Sequence, residues 1–477
     1  MSDEIALKLA TAENAFLIAP AGYGKTELIA RAVALQDQGK TLLLTHTHAG
    51  VRSMRERLNR LGVSSTKYRV ETIASWALKL AVSYPKLSGI VNDQPAGDEW
   101  KEVYQFAQNA LQNQNIKTIV KKSYDGIYVD EYQDCTKSQH GLVITLADLL
   151  PVKILGDPLQ GIFGFDDDPL IDWDTDIFPN FKNIGQLKEP WRWKETNPEL
   201  GNWLETVRNC LLTGQEFDLR EAPNGSVTWK QYDQNAGRNA CFHASSFDGS
   251  IVAIQKWPNQ AHALASQLRG LYTSMEEIEC RDLLAWAQKL DRVGARERCL
   301  ILIDGAGKCW TRLKSELNSI RKGFEEDKVP RSLKYPEIVD ALKSIKQNPD
   351  DLSFLLPAFV KCEKAGDVLF RKELWYEMKR VLEIFPQGNF KSFEDVAWHI
   401  RNQARKQGRK IDRRLVSRTL LVKGLEFDHV IVVNADDLDD PKNLYVALTR
   451  CKQSLTILSR SPIIKRSLPE NHHTLDR

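Results

Sequence analysis

Residues 15 to 26 read A-F-L-I-A-P-A-G-Y-G-K-T and lead straight into E-L-I-A-R-A-V-A-L-Q at 27 to 36. The apolar run at 15 to 18 has the character of a short buried strand, and the segment after 26 spaces its apolar residues as an amphipathic helix does. Strand, small-residue loop, Lys-Thr and helix, in that order, build a phosphate cradle. Small residues let the backbone around Ala21, Gly22, Tyr23 and Gly24 wrap an anion with its N–H groups. Lys25 brings a cation to the β- and γ-phosphates, and Thr26 brings a hydroxyl to Mg2+. Ala19 stands where this loop usually has its first glycine, and the Gly-Lys-Thr end is intact.

A phosphate cradle that hydrolyses ATP needs an acidic partner at the end of another buried strand. G-I-Y-V-D-E-Y-Q-D at 126 to 134 supplies one. There Asp130 is expected to hold Mg2+ through its water shell, and Glu131 to orient and deprotonate the attacking water. The cofactors implied are ATP and Mg2+.

Working outward, AFLIA, TLLLT, YRVET, GIYVD and VKILGD alternate with helical stretches over the first 160 residues, and VTWKQY, SIVAIQ, HVIVVNA and SLTILS form a later set. Continuous β-branched runs of this kind mark parallel strands buried on both faces. The fold class expected is α/β, with two RecA-like P-loop NTPase lobes, each carrying a mainly helical insertion. Lobe 1A takes residues 1–77 and 124–190, with a short helical insertion, 1B, at 78–123. Lobe 2A takes 191–270 and 412–477, with a helical insertion, 2B, at 271–411. The run CLILID at 299 to 304 fits either a strand or a helix.

Bulk properties set limits. The 477 residues exceed one ordinary core, and a composition of 42% hydrophobic and 27% charged residues is that of a folded globular protein. Because 66 basic residues are nearly matched by 63 acidic ones, leaving +3, any nucleic-acid surface must be local. The run from Arg401 to Arg418 is one such place, readable equally as a phosphate track or as a solvated helix face. The acidic start MSDEIALKLATAEN lacks the basic flank of a signal peptide, and no apolar run approaches the ~20 residues that span a bilayer. A cytoplasmic chain with no membrane partner is expected. Eight scattered cysteines without C-x-x-C spacing point to reduced thiols rather than to a zinc or iron–sulfur site.

D-E-x-Q-D following such a loop resembles the UvrD/Rep/PcrA family of superfamily 1A DNA helicases, and the resemblance continues in order along the chain. T-H-T-H-A-G-V-R-S-M at 45 to 54 and T-I-A-S-W-A at 72 to 77 look like two of the family's DNA-contacting segments, which points to Thr45, Thr47, His48, Thr72 and Ser75. L-G-D-P-L-Q-G-I-F-G-F at 155 to 165 is similar to the motif that senses the γ-phosphate. It implies that role for Gln160, and Phe163 and Phe165 either stack on bases or belong to the core. By the match of L-K-E-P-W-R at 187 to 192, Trp191 stacks on the adenine and Arg192 reaches the γ-phosphate. V-K-G-L-E-F-D at 422 to 428 places Glu426 on the ribose, with Gly424 letting the backbone pass close by. L-Y-V-A-L-T-R at 444 to 450 makes Arg450 the second arginine on the γ-phosphate.

The chain departs from the family in carrying no Gln in residues 1 to 18 to read the adenine edge, and in having Leu420 near the place of the usual histidine before K-G-L-E-F. The resemblance implies an ATP hydrolase that moves along single-stranded DNA 3′ to 5′ and acts at duplex junctions. The compact layout is also similar to the helicase-like subunit of the Gabija antiphage defence system, which works with a separate nuclease. The alternative is an ATP- and DNA-sensing regulatory subunit that controls a partner nuclease with little unwinding of its own.

Overall fold

A computed structural model of the chain describes residues 3–36, 39–95, 99–164, 168–277, 280–328, 334–407 and 411–468, with side chains for all of these except 3 and 405–407. Two compact units emerge. One comprises Met1–Val227, Leu438–Gln453 and Ile463–Arg477, and the other Thr228–Asp437 and Ser454–Pro462.

In the first unit, strands β1 (Ala15–Ile18), β2 (Thr41–Thr45), β3 (Tyr68–Thr72), β4 (Gly126–Val129), β5 (Val152–Gly156) and β6 (Lys182–Gln186) form one sheet in the order β3-β2-β4-β5-β1-β6. The pairings are parallel throughout. Parallel neighbours need crossovers, and helices on both faces supply them. The period of two along each strand divides the side chains between two cores. Leu17, Leu43 and Tyr128 pack with Leu28 and Ile29 of α1 (Lys25–Ala34) and with Met54 and Leu58 of α2 (His48–Arg60). Phe16, Ile18, Leu42 and Val129 face the opposite way, onto Trp76 and Ala77 of α3 (Ile73–Ser83) and onto Tyr104 and Leu111. Burial on both faces is why β1, β2, β4 and β5 read as largely apolar runs. Helices Glu99–Ala110 and Gln114–Ser123 lie within the expected first insertion. The unit is completed by α4 (Pro198–Thr213), by β7 (Glu216–Asp218) paired antiparallel with a strand at 463–465, and by α5 (Pro441–Leu448).

A second sheet consists of β8 (Val227–Gln231), β9 (Ile251–Gln255), β10 (Thr273–Ser274), β11 (Arg414–Arg418), β12 (Phe427–Val432) and β13 (Cys451–Ser459), in the order β10-β11-β9-β12-β13-β8, and all of it but Val227 and Cys451–Gln453 belongs to the second unit. Its helical segment has a core of its own, in which Trp286, Leu302, Phe359, Trp375 and Val381 are buried. The two-sheet α/β architecture with helical insertions is therefore present.

Three segments gain detail from the structure. CLILID lies inside the helix Ala295–Cys309, where Cys299, Leu302 and Ile303 point into the helical core. The first compact unit runs to Val227 and includes 438–453. Within the basic run, Arg401 is only 1% exposed and is held by Glu373 and Glu377, which makes it a core ion pair. The residues from Arg414 to Arg418 form a strand inside the second sheet, with Arg414 donating to the Ser245 carbonyl and Arg418 paired with Glu277. Arg409 and Lys410 lie outside the described residues. Among the described residues no helix is long and apolar enough to cross a membrane. All eight cysteines are unpaired thiols, and seven are buried.

Candidate nucleotide site

The phosphate loop leaves β1 at the carboxyl edge of the first sheet. Gly22 and Gly24 take φ of +79° and +84°, a region that side chains strain, and so turn the chain back into α1. The Gly22 carbonyl accepts the Arg192 N–H at 2.9 Å, and a Cβ at Gly22 would meet the Trp193 ring at 2.7 Å. Trp193 is pinned in turn, because its indole N–H donates to the Cys451 carbonyl at 2.9 Å.

Lys25, 7% exposed, donates to the Ala19 carbonyl at 3.1 Å and lies 3.3 Å from the Glu131 carboxylate. Thr26 donates its hydroxyl to Asp130 at 2.9 Å. Strand order explains the meeting, since β5 alone separates the strand that feeds the loop from the strand that ends in the acids. Burial, and then the neighbouring Glu131, push the Asp130 carboxyl up to about 6, against the opposing pull of Lys25 and Thr26. Glu131 itself sits in the left-handed region at φ 56°, ψ 42°, and its side chain accepts from the Gln133 amide at 2.5 Å. A strained backbone that turns an acid toward a lysine and a phosphate loop is a feature of sites rather than of cores.

A second layer lies behind these groups. The Gln133 amide oxygen accepts the Asp157 N–H at 3.0 Å, and the Gln160 amide donates to the Asp157 carboxylate at 3.0 Å. Arg450, 2% exposed, lies 3.5 Å from the Gln160 amide oxygen and donates to Thr449 at 3.0 Å. The Arg192 guanidinium donates to the Thr449 carbonyl. Both arginines are thus gathered on the phosphate-loop unit, at the end of α5. Trp191 is half-buried beside Arg192, with the Lys194 ammonium 4.4 Å from its ring centre.

The remaining expected residues are distributed as follows. Thr45 and Thr72 are register partners at the carboxyl ends of β2 and β3, and both are buried. Thr47 and Thr72 close the N-termini of α2 and α3, each accepting a backbone N–H at 3.0 Å. Ser75 accepts the Thr72 hydroxyl at 2.8 Å, His48 is exposed at the start of α2, and Phe163 is half-buried. Phe165 lies outside the described residues. Gly424, at φ +77°, and exposed Glu426 belong to the second unit, ahead of β12.

Sequence reasoning missed Tyr445 and Arg208. The Tyr445 hydroxyl accepts the Ala21 N–H of the phosphate loop at 3.3 Å, and Arg208 pairs with Asp157. Tyr445 stands within the quoted L-Y-V-A-L-T-R and was legible as part of that segment, whereas nothing local marks Arg208.

Among the described residues no cluster of three or more His, Cys, Asp or Glu side chains could hold a metal unaided. The Thr26 hydroxyl and Asp130 do fit Mg2+, which takes one or two protein oxygens and completes its shell with phosphate and water.

Comparison with known proteins agrees with this chemistry. A family model described as an AAA domain matches residues 3–166, and one described as the viral superfamily 1 RNA helicase core domain matches residues 389–459. Fold, site geometry and these two matches describe an α/β protein with a phosphate-loop site, similar in one segment to an AAA domain and in another to the viral superfamily 1 helicase core. No curated protein matches the chain. Among solved structures, the arterivirus nonstructural protein 10 helicase with DNA is 14% identical, covering 52% of this chain and 49% of its own, with a TM-score of 0.28. The PRRSV helicase is 11% identical, covering 96% and 54%, with a TM-score of 0.34. Bacteroides sp. Pif1 in complex with ADP-AlF4 is 12% identical, covering 57% and 56%, with a TM-score of 0.33. The chain thus spans about half the length of these helicases. Likeness at this level adds nothing to the fold, which stands on the chain's own strand order.

Proposed function

We propose that the chain is a motor of the UvrD/Rep/PcrA type that uses ATP to move along single-stranded DNA, 3′ to 5′, and acts at duplex junctions. The observation that carries this reading is the convergence of Lys25, Thr26, Asp130 and Glu131 on one sheet edge, with Gln160 joined to Arg450 directly behind them. In this reading Lys25 and the loop N–H groups hold the phosphates, and Thr26 and Asp130 hold Mg2+ with its waters. Glu131 takes the proton of the attacking water, and Arg192 and Arg450 neutralise charge that develops on the γ-phosphate. Thr45, Thr47, His48, Thr72, Ser75 and Phe163 would form the DNA track, and Gly424 and Glu426 would serve the ribose.

The test is steady-state ATP hydrolysis with and without single-stranded DNA, with Lys25→Ala as the control for contaminating enzymes and Glu131→Gln as the variant that binds without turnover. Strong stimulation by DNA, lost in both variants, supports a motor. Bound ATP with negligible turnover in either condition would replace it with the sensing subunit that controls a separate nuclease.

A further inference from the structure

Arg208 lies outside every segment that resembles the helicase family, yet it is among the most completely enclosed charges of the first unit. Its side chain is 3% exposed and meets Asp157, itself 0% exposed, at 3.2 Å. It projects from α4 onto the loop after β5, and its charge also reaches Tyr23 of the phosphate loop and Tyr445 of α5. Burial opposes the charged guanidinium, and Asp157 with its neighbours more than offsets that, so Arg208 stays a cation. Two polar atoms here, the Tyr23 hydroxyl and the Arg208 Nε, are buried without a hydrogen-bond partner. A pair this deeply desolvated is weak evidence of stability, because apolar residues of similar volume often serve a core as well. Its retention therefore asks for another account.

The account lies in what Asp157 holds. One of its oxygens accepts from Arg208 and from the Leu159 N–H, and the other accepts the Gln160 amide at 3.0 Å. Its own N–H donates to Gln133, whose amide donates to Glu131. An amide that donates to a carboxylate must turn its oxygen the other way, and the Gln160 oxygen accordingly faces Arg450. We propose that Arg208 is a positioning residue for hydrolysis: by anchoring the Asp157 carboxylate it fixes the orientation of Gln160, and through Gln133 the placement of Glu131, so that the transition state meets an aligned base and arginine. This rests on the reading of the site as an ATP-hydrolysing centre.

The experiment compares binding of ADP with binding of ADP plus aluminium fluoride, a mimic of the transferring phosphoryl group, in wild type, Arg208→Met, Arg208→Lys, Gln160→Ala and Arg208→Met/Gln160→Ala. Arg208→Met is expected to bind ADP within about threefold of wild type and to lose tenfold or more of the extra affinity that fluoride confers. Arg208→Lys should recover part of it, and the double variant should be no worse than the poorer single one. Wild-type preference for the fluoride complex in Arg208→Met, or losses that multiply fully in the double variant, would overturn the proposal. Should Arg208→Met fail to fold, Asp157→Asn/Arg208→Met removes both charges. If that variant folds with its fluoride preference restored, the pair is merely structural and the proposal fails. A fluoride preference still missing supports it. Failure of the underlying site reading looks different: wild type then binds neither ligand in a manner that Lys25→Ala abolishes.

Discussion

The Tyr445 hydroxyl and the Ala21 backbone N–H share a buried hydrogen bond of 3.3 Å, 424 residues apart in sequence. A side chain of α5 thereby holds one wall of the phosphate loop. Tyr445→Phe leaves a buried N–H without its acceptor, at a cost of about 1–3 kcal/mol. The expected result is a thermal midpoint lower by several degrees, at about 2–4 °C per kcal/mol for a unit of this size, together with a raised KM for ATP. Calorimetry and initial-rate kinetics check both, and an unchanged midpoint with unchanged KM would mean the contact contributes nothing.

Arg192 and Arg450 meet at Thr449, one through its carbonyl and the other through its hydroxyl. Arg192→Ala and Arg450→Ala are each expected to lower kcat on the order of 10³-fold, the range of arginines that act on a transferring phosphoryl group, with a smaller change in KM. Turnover within tenfold of wild type in both variants would remove them from the γ-phosphate.

Two glycines with nearly the same φ give a matched comparison. At Gly22, φ +79°, a Cβ would lie 2.7 Å from the Trp193 ring, whereas at Gly424, φ +77°, it would meet nothing within 4 Å. Both alanine substitutions carry the backbone strain of about 1–2 kcal/mol, and only Gly22→Ala adds a collision at the loop. Nucleotide binding, followed by titration calorimetry, should be lost in Gly22→Ala. In Gly424→Ala, where the added Cβ meets no protein atom, the loss of binding should be smaller, and equal binding in the two variants would contradict the assignment of the loop.

Glu377 is buried against Arg401, and one of its oxygens has no hydrogen-bond partner. Burial pushes this carboxyl up to about 7, with Arg401 pulling the other way and Glu373 reinforcing the rise. A folded-state value above the unfolded one means that the folded chain holds the proton more tightly, so this group's contribution to stability falls as pH rises from about 4.5 towards 7. Glu377→Gln cannot lose that proton. The difference in thermal midpoint between variant and wild type should therefore move in the variant's favour from pH 5 to pH 8. A difference that does not change with pH would show that Glu377 keeps its charge throughout.

What was legible in the sequence followed from local pattern. TLLLT, GIYVD and SIVAIQ become strands because burial on both faces demands largely apolar residues, and that demand is written into neighbouring positions. The loop at 19 to 26 and the acids at 130 and 131 were equally local, and the fold brings them together. Lys182–Gln186 escaped notice because a single residue of that edge strand, Ile184, is buried. Arg414–Arg418 escaped because its arginines find partners far along the chain, at Ser245 and Glu277, so charge concealed a central strand. The pairing of Asp157 with Arg208, 51 residues apart, depends on how α4 lies beside β5, and no short-range pattern carries that information.

Glu131 occupies a backbone conformation that glycine would adopt with less strain. Stability and chemistry accordingly ask for different residues at one position. If Glu131 is the base proposed above, a selection for heat resistance alone would favour glycine or asparagine there and would enrich inert proteins, so the glutamate would mark a place where the chain keeps its reaction at the expense of a firmer fold.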